Sequence, residues 1–206
     1  APEVPILDGS AFDFAHAIKS FGIKEQNDPR KFIKVLKKVE VNNGVKKISI
    51  EPLSKDLVID FEIVYNNPLI RTRRKEFKLS KSDLNPITDS RTFCLYEDID
   101  KIRSQGLAKG GSLENAIVVK DQKILNEDGL RYRDEFVNHK ILDCIGDLML
   151  SGHRIFGYIK TSQGGHQLTN ALLKQFFSDE SNWKFENFED KHNKHSKYLK
   201  PIAVNA

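Results

Sequence analysis

The segment from Gly129 to Asn170, GLRYRDEFVNHKILDCIGDLMLSGHRIFGYIKTSQGGHQLTN, decides the fold and holds most of the residues suited to chemistry. Apolar residues recur at helical spacing between about Asp134 and Leu150, which predicts an amphipathic helix. A β-type run follows from His153 to Lys160. The glycine turn at Gln163-Gly164-Gly165 then opens a second helix, Gln167 to Phe177.

Three polar residues of the first helix, His139, Asp143 and Asp147, lie four positions apart and therefore share one side of it. A neutral imidazole one turn from a carboxylate can give a metal two ligands, and this donor set suits zinc. Spacing alone favours a simpler interpretation, a helix-stabilising His–Asp pair on a solvated face.

His166 shifts the balance toward chemistry, because it follows the glycine turn and stands at the start of the second helix. The helix dipole disfavours a protonated imidazole there, so a nearby carboxylate is needed, and Asp147 is the obvious candidate. A histidine held by an aspartate beside a metal site suits stabilisation of negative charge and delivery of a proton.

The composition is that of an ordinary soluble protein, with 39% hydrophobic and 30% charged residues among 206. No window is long and apolar enough for a membrane span, and no leader peptide is visible. Cys94 and Cys144 lack metal or redox spacing, so we expect buried free thiols in a reducing cytoplasm. The net charge of +4 is dispersed and no nucleic-acid module is present, so no nucleic-acid partner is expected, whereas a nucleotide diphosphate fits.

The chain opens with Ala1 and continues into Asp8-Gly9-Ser10, which precedes a predicted helix from about Ala11 to Phe21. Ser10 is a plausible N-cap and Gly22 a plausible C-cap. The polar segment Lys24 to Arg30 is turn-prone and predicts a linker between domains.

Three segments show apolar alternation with β-branched residues, namely Phe32 to Val41, Val45 to Glu51 and Leu57 to Tyr65. They predict an antiparallel meander, with Asn43-Gly44 as a hairpin turn. The basic run Ile70 to Lys75 is better explained as edge protection than as a binding patch.

Cys94 to Leu125 has the pattern of a compact βαβ insert, with a helix at Tyr96 to Gln105 and a strand at Ala116 to Val119. Trp183 to Phe188 is a possible last strand. The polar segment after it, about 189–206, predicts a disordered tail without a specific metal site.

These elements predict an α+β fold, a two-layer α/β sandwich. A mostly antiparallel sheet of about five strands would be covered on one face by the helices 134–150 and 167–177, with the small insert standing apart.

Four strings in this order carry a resemblance to a known family. They are RTF (Arg91 to Phe93), GLAKGGSLENAIVV (Gly106 to Val119), LNEDGLRYRDEFVNHKILDCIGDL (Leu125 to Leu148) and GGHQLTN (Gly164 to Asn170). They resemble the C-terminal domain of UDP-3-O-acyl-N-acetylglucosamine deacetylases, zinc amidohydrolases of lipid A synthesis in Gram-negative bacteria. The likeness runs from Ala1 to about Phe188.

The resemblance implies half of a duplicated β-α-α-β architecture, in which two sandwiches pack helix layer against helix layer with zinc at the junction. Residues 1–25 would be the C-terminal end of the first deacetylase domain, and residues 26–206 the second domain. Most of the first domain is then expected to be missing. We therefore expect low stability, or association through the exposed helix layer.

The insert, about 94–125, would form a passage for the acyl chain. Its apolar side chains suit this role, although packing of the insert itself explains most of them equally. They are Leu95, Ile99, Ile102, Leu107, Leu113, Ile117 and Val119.

By resemblance, His139 and Asp143 are two of three protein ligands of a catalytic zinc. The third is a histidine directly after a catalytic glutamate in the first domain, and this sequence holds no Glu-His dipeptide. The reaction implied is hydrolysis of the N-acetyl group of UDP-3-O-acyl-N-acetylglucosamine, which gives UDP-3-O-acyl-glucosamine and acetate.

Five further roles follow from the same resemblance. Thr92 would hydrogen-bond the tetrahedral oxyanion, His166 would stabilise it and protonate the leaving amine, and Asp147 would hold His166. Lys140 would face the nucleotide or its diphosphate, and Phe93 would contact the sugar. Singly, Thr92 is equally well a strand residue, Lys140 a solvated lysine and Phe93 a core residue.

Two hypotheses of function therefore stand. In the first, the chain is part of a working zinc deacetylase and is inactive alone, because the missing first domain completes the site. In the second, it is a non-catalytic remnant that binds a UDP-sugar or an acyl chain. A purely structural role explains neither the helix stripe nor the glycine turn.

Overall fold

The protein, seen in a computed structural model that describes residues 4–24, 26 and 28–187, consists of five α-helices and ten β-strands over that range. The helices are α1 (Phe12–Phe21), α2 (Asn85–Thr88), α3 (Ile99–Ser104), α4 (Glu135–Leu148) and α5 (His166–Phe177). The strands are β1 (Lys31–Val35), β2 (Val39–Asn43), β3 (Lys46–Pro52), β4 (Leu57–Ile63), β5 (Arg73–Lys78), β6 (Phe93–Leu95), β7 (Ile117–Lys120), β8 (Lys123–Ile124), β9 (Arg154–Ser162) and β10 (Trp183–Asn187).

The main sheet has seven strands and is organised around β9. This strand pairs in parallel with β1 and β4, and antiparallel with β3. The pairs β1–β10, β2–β3 and β4–β5 are antiparallel. The sheet is therefore mixed with antiparallel pairs in the majority, and the α+β sandwich predicted from the sequence is confirmed.

The predicted meander is wrong in its order of pairing, although its hairpin is present. β2 and β3 pair up to Asn43 and Lys46, so the turn lies at Gly44 and Val45. β9 enters between β3 and β4 and pairs with both. Alternation along a strand indicates which side chains are buried but not which strand lies beside it, and β9 is more than ninety residues from these partners in the chain.

The segment predicted as one strand, Phe32 to Val41, is divided into β1 and β2. Its break lies at Leu36, whose N–H donates to the carbonyl of Asn182 at 2.7 Å instead of joining the ladder. The basic run before Phe77 forms part of β5, which pairs only with β4 among the described strands. Its position at an edge fits the edge-protection interpretation, although Ile70 is buried and Arg73 and Lys75 contact residues at the start of α4.

One face of the sheet is covered by α4 and α5. The fully buried side chains between the layers include Phe136 and Ile141 of α4, Leu172 and Phe176 of α5, and Ile33, Ile48, Ile50, Ile59 and Ile159 of the sheet. Each such side chain stabilises the fold by about 1.5–3 kcal/mol. Cys144 is buried in the same core, and burial raises the pKa of its thiol to about 12, as expected for an unreactive free thiol.

The insert is a βαβ unit, as predicted. β6 and β7 run parallel with α3 between them, and β8 returns antiparallel to β7. Ile117 and Val119 are fully buried, whereas Leu107 and Leu113 are 58% and 48% exposed. Packing therefore accounts for Ile117 and Val119, whereas Leu107 and Leu113 are accessible to a ligand.

The segment before β1 carries exposed apolar side chains. No side chain of α1 is buried, and Gly22 ends the helix with a φ of +79°. The exposed apolar residues are Val4, Ile6, Leu7, Phe12, Phe14, Ile18, Phe21 and Ile23. The domain boundary at residue 25 stays a prediction. The predicted tail, 189–206, lies outside the described residues.

Among the described helices, none combines the length and apolar character needed to cross a bilayer.

Candidate active site

Four polar side chains meet where α4 passes the start of α5. His139, Asp143 and Asp147 lie on one side of α4, and His166 is the first residue of α5. Asp143 Oδ1 lies 3.4 Å from His139 Nε2 and 4.0 Å from His166 Nε2. His166 Nδ1 lies 2.9 Å from Asp147 Oδ1. The structure thus brings together the four residues that the helix spacing and the glycine turn had selected.

The glycine turn Gln163-Gly164-Gly165 packs closely against the end of β9, and this close packing fixes the position of His166. A Cβ at Gly164 would come within 2.4 Å of the Thr161 hydroxyl oxygen and 3.2 Å of the Phe61 ring. Only glycine therefore fits this approach, and it allows the chain to turn from β9 directly into α5.

The imidazole of His139 is firmly oriented, and its surroundings favour the neutral form. Its Nδ1–H donates to the carbonyl oxygen of Ser90 at 2.9 Å. Burial lowers the pKa of His139, and the negative charge of Asp143 offsets only part of that effect. In the neutral form with the proton on Nδ1, the Nε2 lone pair faces Asp143 Oδ1, and a cation between two such acceptors would stabilise both.

Asp143 has a second neighbour on its other oxygen. Lys140 Nζ donates to Asp143 Oδ2 at 2.6 Å, so this lysine lies at the edge of the site rather than free in solvent. The nearby phenol of Tyr65 has its pKa raised by burial, and the charge of Lys140 acts in the opposite direction. Tyr65 had no signal in the sequence pattern.

Asp147 is bound to His166 by one oxygen only. Its Oδ2 is buried and makes no hydrogen bond within the described part of the chain. A buried unsatisfied acceptor costs about 1–3 kcal/mol, so this oxygen is a candidate to accept a hydrogen bond from a ligand or an ordered water. The side chain of His166 is 68% exposed, so its Nε2 is accessible to a ligand.

The segment Ser90 to Phe93 forms the border of the site on the side of the insert. The guanidinium of Arg91 is buried and donates from Nε to Glu135 Oε1 at 2.9 Å. Phe93 is half-buried and packs edge-on against Phe136, with ring centroids 4.8 Å apart. This contact supports the packing interpretation of Phe93 and leaves its role toward a sugar a prediction.

Sequence reasoning missed three residues of this border, Ser90, Arg91 and Glu135. Ser90 acts through its main-chain carbonyl, which no side-chain pattern reveals. Arg91 and Glu135 are 44 positions apart, so nothing local connects them. Arg91 was present only as the first letter of the RTF string.

An open cleft of about 480 Å³ lies beside His166, between the β2–β3 turn and the start of α5. Its polar lining comes from Asn42, Asn43, Lys46, Gln163 and Gln167. The turn was predicted, but its position beside the histidine is decided by the pairing of β3 with β9.

The donors present fit zinc as part of a larger ligand set. His139 offers a neutral imidazole nitrogen and Asp143 a carboxylate oxygen, both of which zinc accepts. Within residues 4–24, 26 and 28–187, no group of three His, Cys, Asp or Glu side chains could hold a metal ion. The roles assigned to individual residues stay predictions.

A model of the family described as "LpxC: UDP-3-O-acyl N-acetylglycosamine deacetylase" matches residues 1–178. The UDP-3-O-acyl-N-acetylglucosamine deacetylase of Actinobacillus pleuropneumoniae serotype 3 (strain JL03) is 44% identical over 201 residues, which cover 96% of this chain and 66% of that protein. The proteins of the same name from Hahella chejuensis (strain KCTC 2396) and Haemophilus influenzae (strain PittGG) are 44% and 42% identical over 207 residues, 99% of this chain and 68% of each protein. The chain spans about two thirds of the length of these relatives. With a match over most of its length, the chain belongs to the UDP-3-O-acyl-N-acetylglucosamine deacetylase family.

Proposed function

We propose that the chain forms one side of the active site of a zinc-dependent deacetylase. The enzyme would hydrolyse the N-acetyl group of UDP-3-O-acyl-N-acetylglucosamine in lipid A biosynthesis. The observation that carries the proposal is the row of His139, Asp143 and Asp147 on α4 with His166 bound to it, in a chain of this family. The buried thiol of Cys144 fits a reducing compartment, and we place the reaction in the cytoplasm.

His139 Nε2 and the Asp143 carboxylate would hold the zinc. When bound, zinc would supply Lewis acidity toward the acetamide carbonyl and the attacking water. The Ser90 carbonyl keeps the imidazole in the tautomer whose Nε2 is free. Lys140, at the edge of the site, offers a cation to the nucleotide diphosphate.

His166 would act on the leaving group. Its Nδ1–H donates to Asp147, so the carboxylate fixes the orientation of the ring and leaves Nε2 to face the substrate. A proton held at Nε2 would pass to the sugar nitrogen as the C–N bond breaks, which releases acetate and a free 2-amino group. The base for the attacking water is expected from the first domain of the family.

The remaining contacts to substrate come from the insert side. The hydroxyl of Thr92 would donate to the oxyanion, and Phe93 would lie against the sugar. The exposed side chains of Leu107 and Leu113 suit an acyl chain.

The test is to measure zinc content and acetate release for the chain alone and after mixing with a separately produced first-domain segment of the family. One zinc per complex and acetate release only in the mixture are expected. His139→Asn should abolish both. His16→Asn is a matched control, because His16 stacks on Phe12 of α1, away from α4.

A stable complex without zinc and without acetate release would contradict the proposal. Titration of the chain with UDP would then distinguish a non-catalytic UDP-sugar-binding protein from one that has lost the site altogether.

A further inference from the structure

The turn Asp8-Gly9-Ser10, which precedes α1, is bound directly to Thr92. The main-chain N–H of Thr92 donates to the carbonyl of Gly9 at 2.9 Å, and the carbonyl of Thr92 accepts from the N–H of Ile117 at 2.8 Å. Thr92 is therefore held on one side by the turn and on the other by β7 of the insert.

Gly9 lies close to both Asn115 and Thr92. Its φ is +83°, and an added Cβ would lie 2.1 Å from the Asn115 carbonyl oxygen and 3.3 Å from the Thr92 methyl group. Any other residue here would have to displace the main chain of Asn115, which precedes β7, or the side chain of Thr92.

The turn is itself anchored by a charge. Asp8 Oδ1 accepts from the N–H and the hydroxyl of Ser10, at 3.0 and 2.7 Å. Asp8 Oδ2 is 2.8 Å from Arg131 Nη2, and Arg131 Nη1 also donates to the carbonyl and side chain of Asp89, each at 3.0 Å. Arg131 thus connects the turn to the segment that leads into Thr92.

The same segment is fixed at its other end by the predicted metal ligand. The carbonyl of Ser90 accepts from His139, and two residues later Thr92 donates to Gly9. The distance between the Thr92 hydroxyl and the metal ligands is consequently set at one end by α4 and at the other by the turn.

We infer that Asp8 is a positioning residue for Thr92. It holds the turn in place through Arg131, and the turn carbonyl holds Thr92 where its hydroxyl can meet the oxyanion. This inference rests on the proposed function, in which Thr92 acts in the transition state. Loosening the turn moves Thr92 but leaves His139 on Ser90, so catalysis falls while zinc is retained.

The test is a double-mutant cycle in the complex of this chain with the first-domain segment. Asp8→Asn keeps the shape and one acceptor but removes the charge opposite Arg131, and Thr92→Val removes only the hydroxyl. We expect Asp8→Asn to lower kcat about threefold to tenfold with little change in KM and one zinc retained. In the Thr92→Val background, Asp8→Asn should lower kcat by less than about twofold.

Asp179→Asn is the matched control. Asp179 accepts from the N–H of Ser181 at 2.8 Å in the same local arrangement as Asp8 and Ser10, but next to β10, and its variant should keep the kcat of the unaltered complex. Arg131→Lys keeps a positive charge but loses the guanidinium fork that contacts Asp8 and Asp89 together, so it should lower kcat about as much as Asp8→Asn. It also serves as the second probe if Asp8→Asn does not fold.

The outcomes separate the two proposals. Equal losses from Asp8→Asn in both backgrounds, loss of zinc, or an unchanged kcat would overturn the positioning role while Thr92→Val remains impaired. An unchanged kcat in Thr92→Val would instead remove Thr92 from the proposed mechanism.

Discussion

Two clusters of buried charge lie on opposite faces of the main sheet, and they differ in how completely their polar atoms are paired. On the face away from the helices, Asp60 is only 3% exposed and both its oxygens are bound. Arg74 donates to each of them, and the hydroxyl of Tyr158 donates to Oδ2 at 3.0 Å. On the helix side, Asp147 is bound to His166 through one oxygen while the other has no partner among the described residues.

We interpret the first cluster as structural and the second as the candidate functional site. Both oxygens of Asp60 already have hydrogen-bond donors, so stabilisation of the sheet is sufficient to explain this cluster. In the helix-side cluster, one oxygen of Asp147 is unpaired among the described residues, and His139 Nε2 lies 3.4 Å from the Asp143 carboxylate. Under the proposed function, a bound cation and substrate would pair with these atoms.

The largest expected effect is loss of the cation from the helix-side cluster. Asp143→Asn removes one zinc donor and should lower zinc affinity and acetate release by about 100-fold or more in the assembled enzyme. Zinc content and acetate release measure it. Retention of both would show that Asp143 is not a ligand, and the comparison between the clusters would fail.

The next effect is smaller and separates proton transfer from metal binding. Asp147→Asn keeps the shape of the side chain but weakens its hold on His166, so kcat should fall about 10- to 100-fold with zinc retained. Thermal unfolding should change little, because one oxygen of Asp147 is already unpaired. A large loss of stability without a loss of kcat would make Asp147 structural, like Asp60.

Asp60→Asn should show the reverse pattern. The free energy of unfolding should fall by about 1–2 kcal/mol, a modest figure because Arg74 is half exposed to solvent. Activity at a temperature where the variant is folded should be unchanged. Urea denaturation and acetate release measured on the same preparations check both halves of this expectation.

The smallest effect is a dependence of stability on pH. The hydrogen bonds from Arg74 lower the pKa of Asp60, and burial opposes this only in part. Because the folded pKa is lowered, the contribution is complete above the unfolded value of about 3.9 and is lost as pH falls through the folded value. Urea midpoints measured from neutral pH down to about pH 2 should therefore fall less steeply in Asp60→Asn than in the unaltered chain, and equal slopes would contradict the assignment.

Local patterns in the sequence were sufficient for much of the site. A period of 3.6 residues aligns His139, Asp143 and Asp147 whatever packs against the helix, and the glycine turn predicts that a helix starts near His166. Both signals lie within a few residues of the groups they describe, so the fold did not have to be known.

The contacts at the border of the site could not be predicted from local patterns in the sequence. The Glu135 carboxylate binds Arg91 from 44 positions away, and Gly9 binds Thr92 from more than eighty. These contacts depend on which loops the packed helices and strands bring together. The resemblance selected Thr92, but its partners are visible only in three dimensions.

By itself, the sequence determined four of the five described helices, most strands and the stripe on α4, since periodicity and turn residues act over one or two turns of chain. The resemblance of four strings, and not their periodicity, indicated the deacetylase family. Only the tertiary structure decided that β9 lies between β3 and β4 and which buried acceptors stay unpaired. Strand order and pairing are set by the burial of surfaces from distant parts of the chain. A pattern within one segment therefore cannot show which other segment lies beside it.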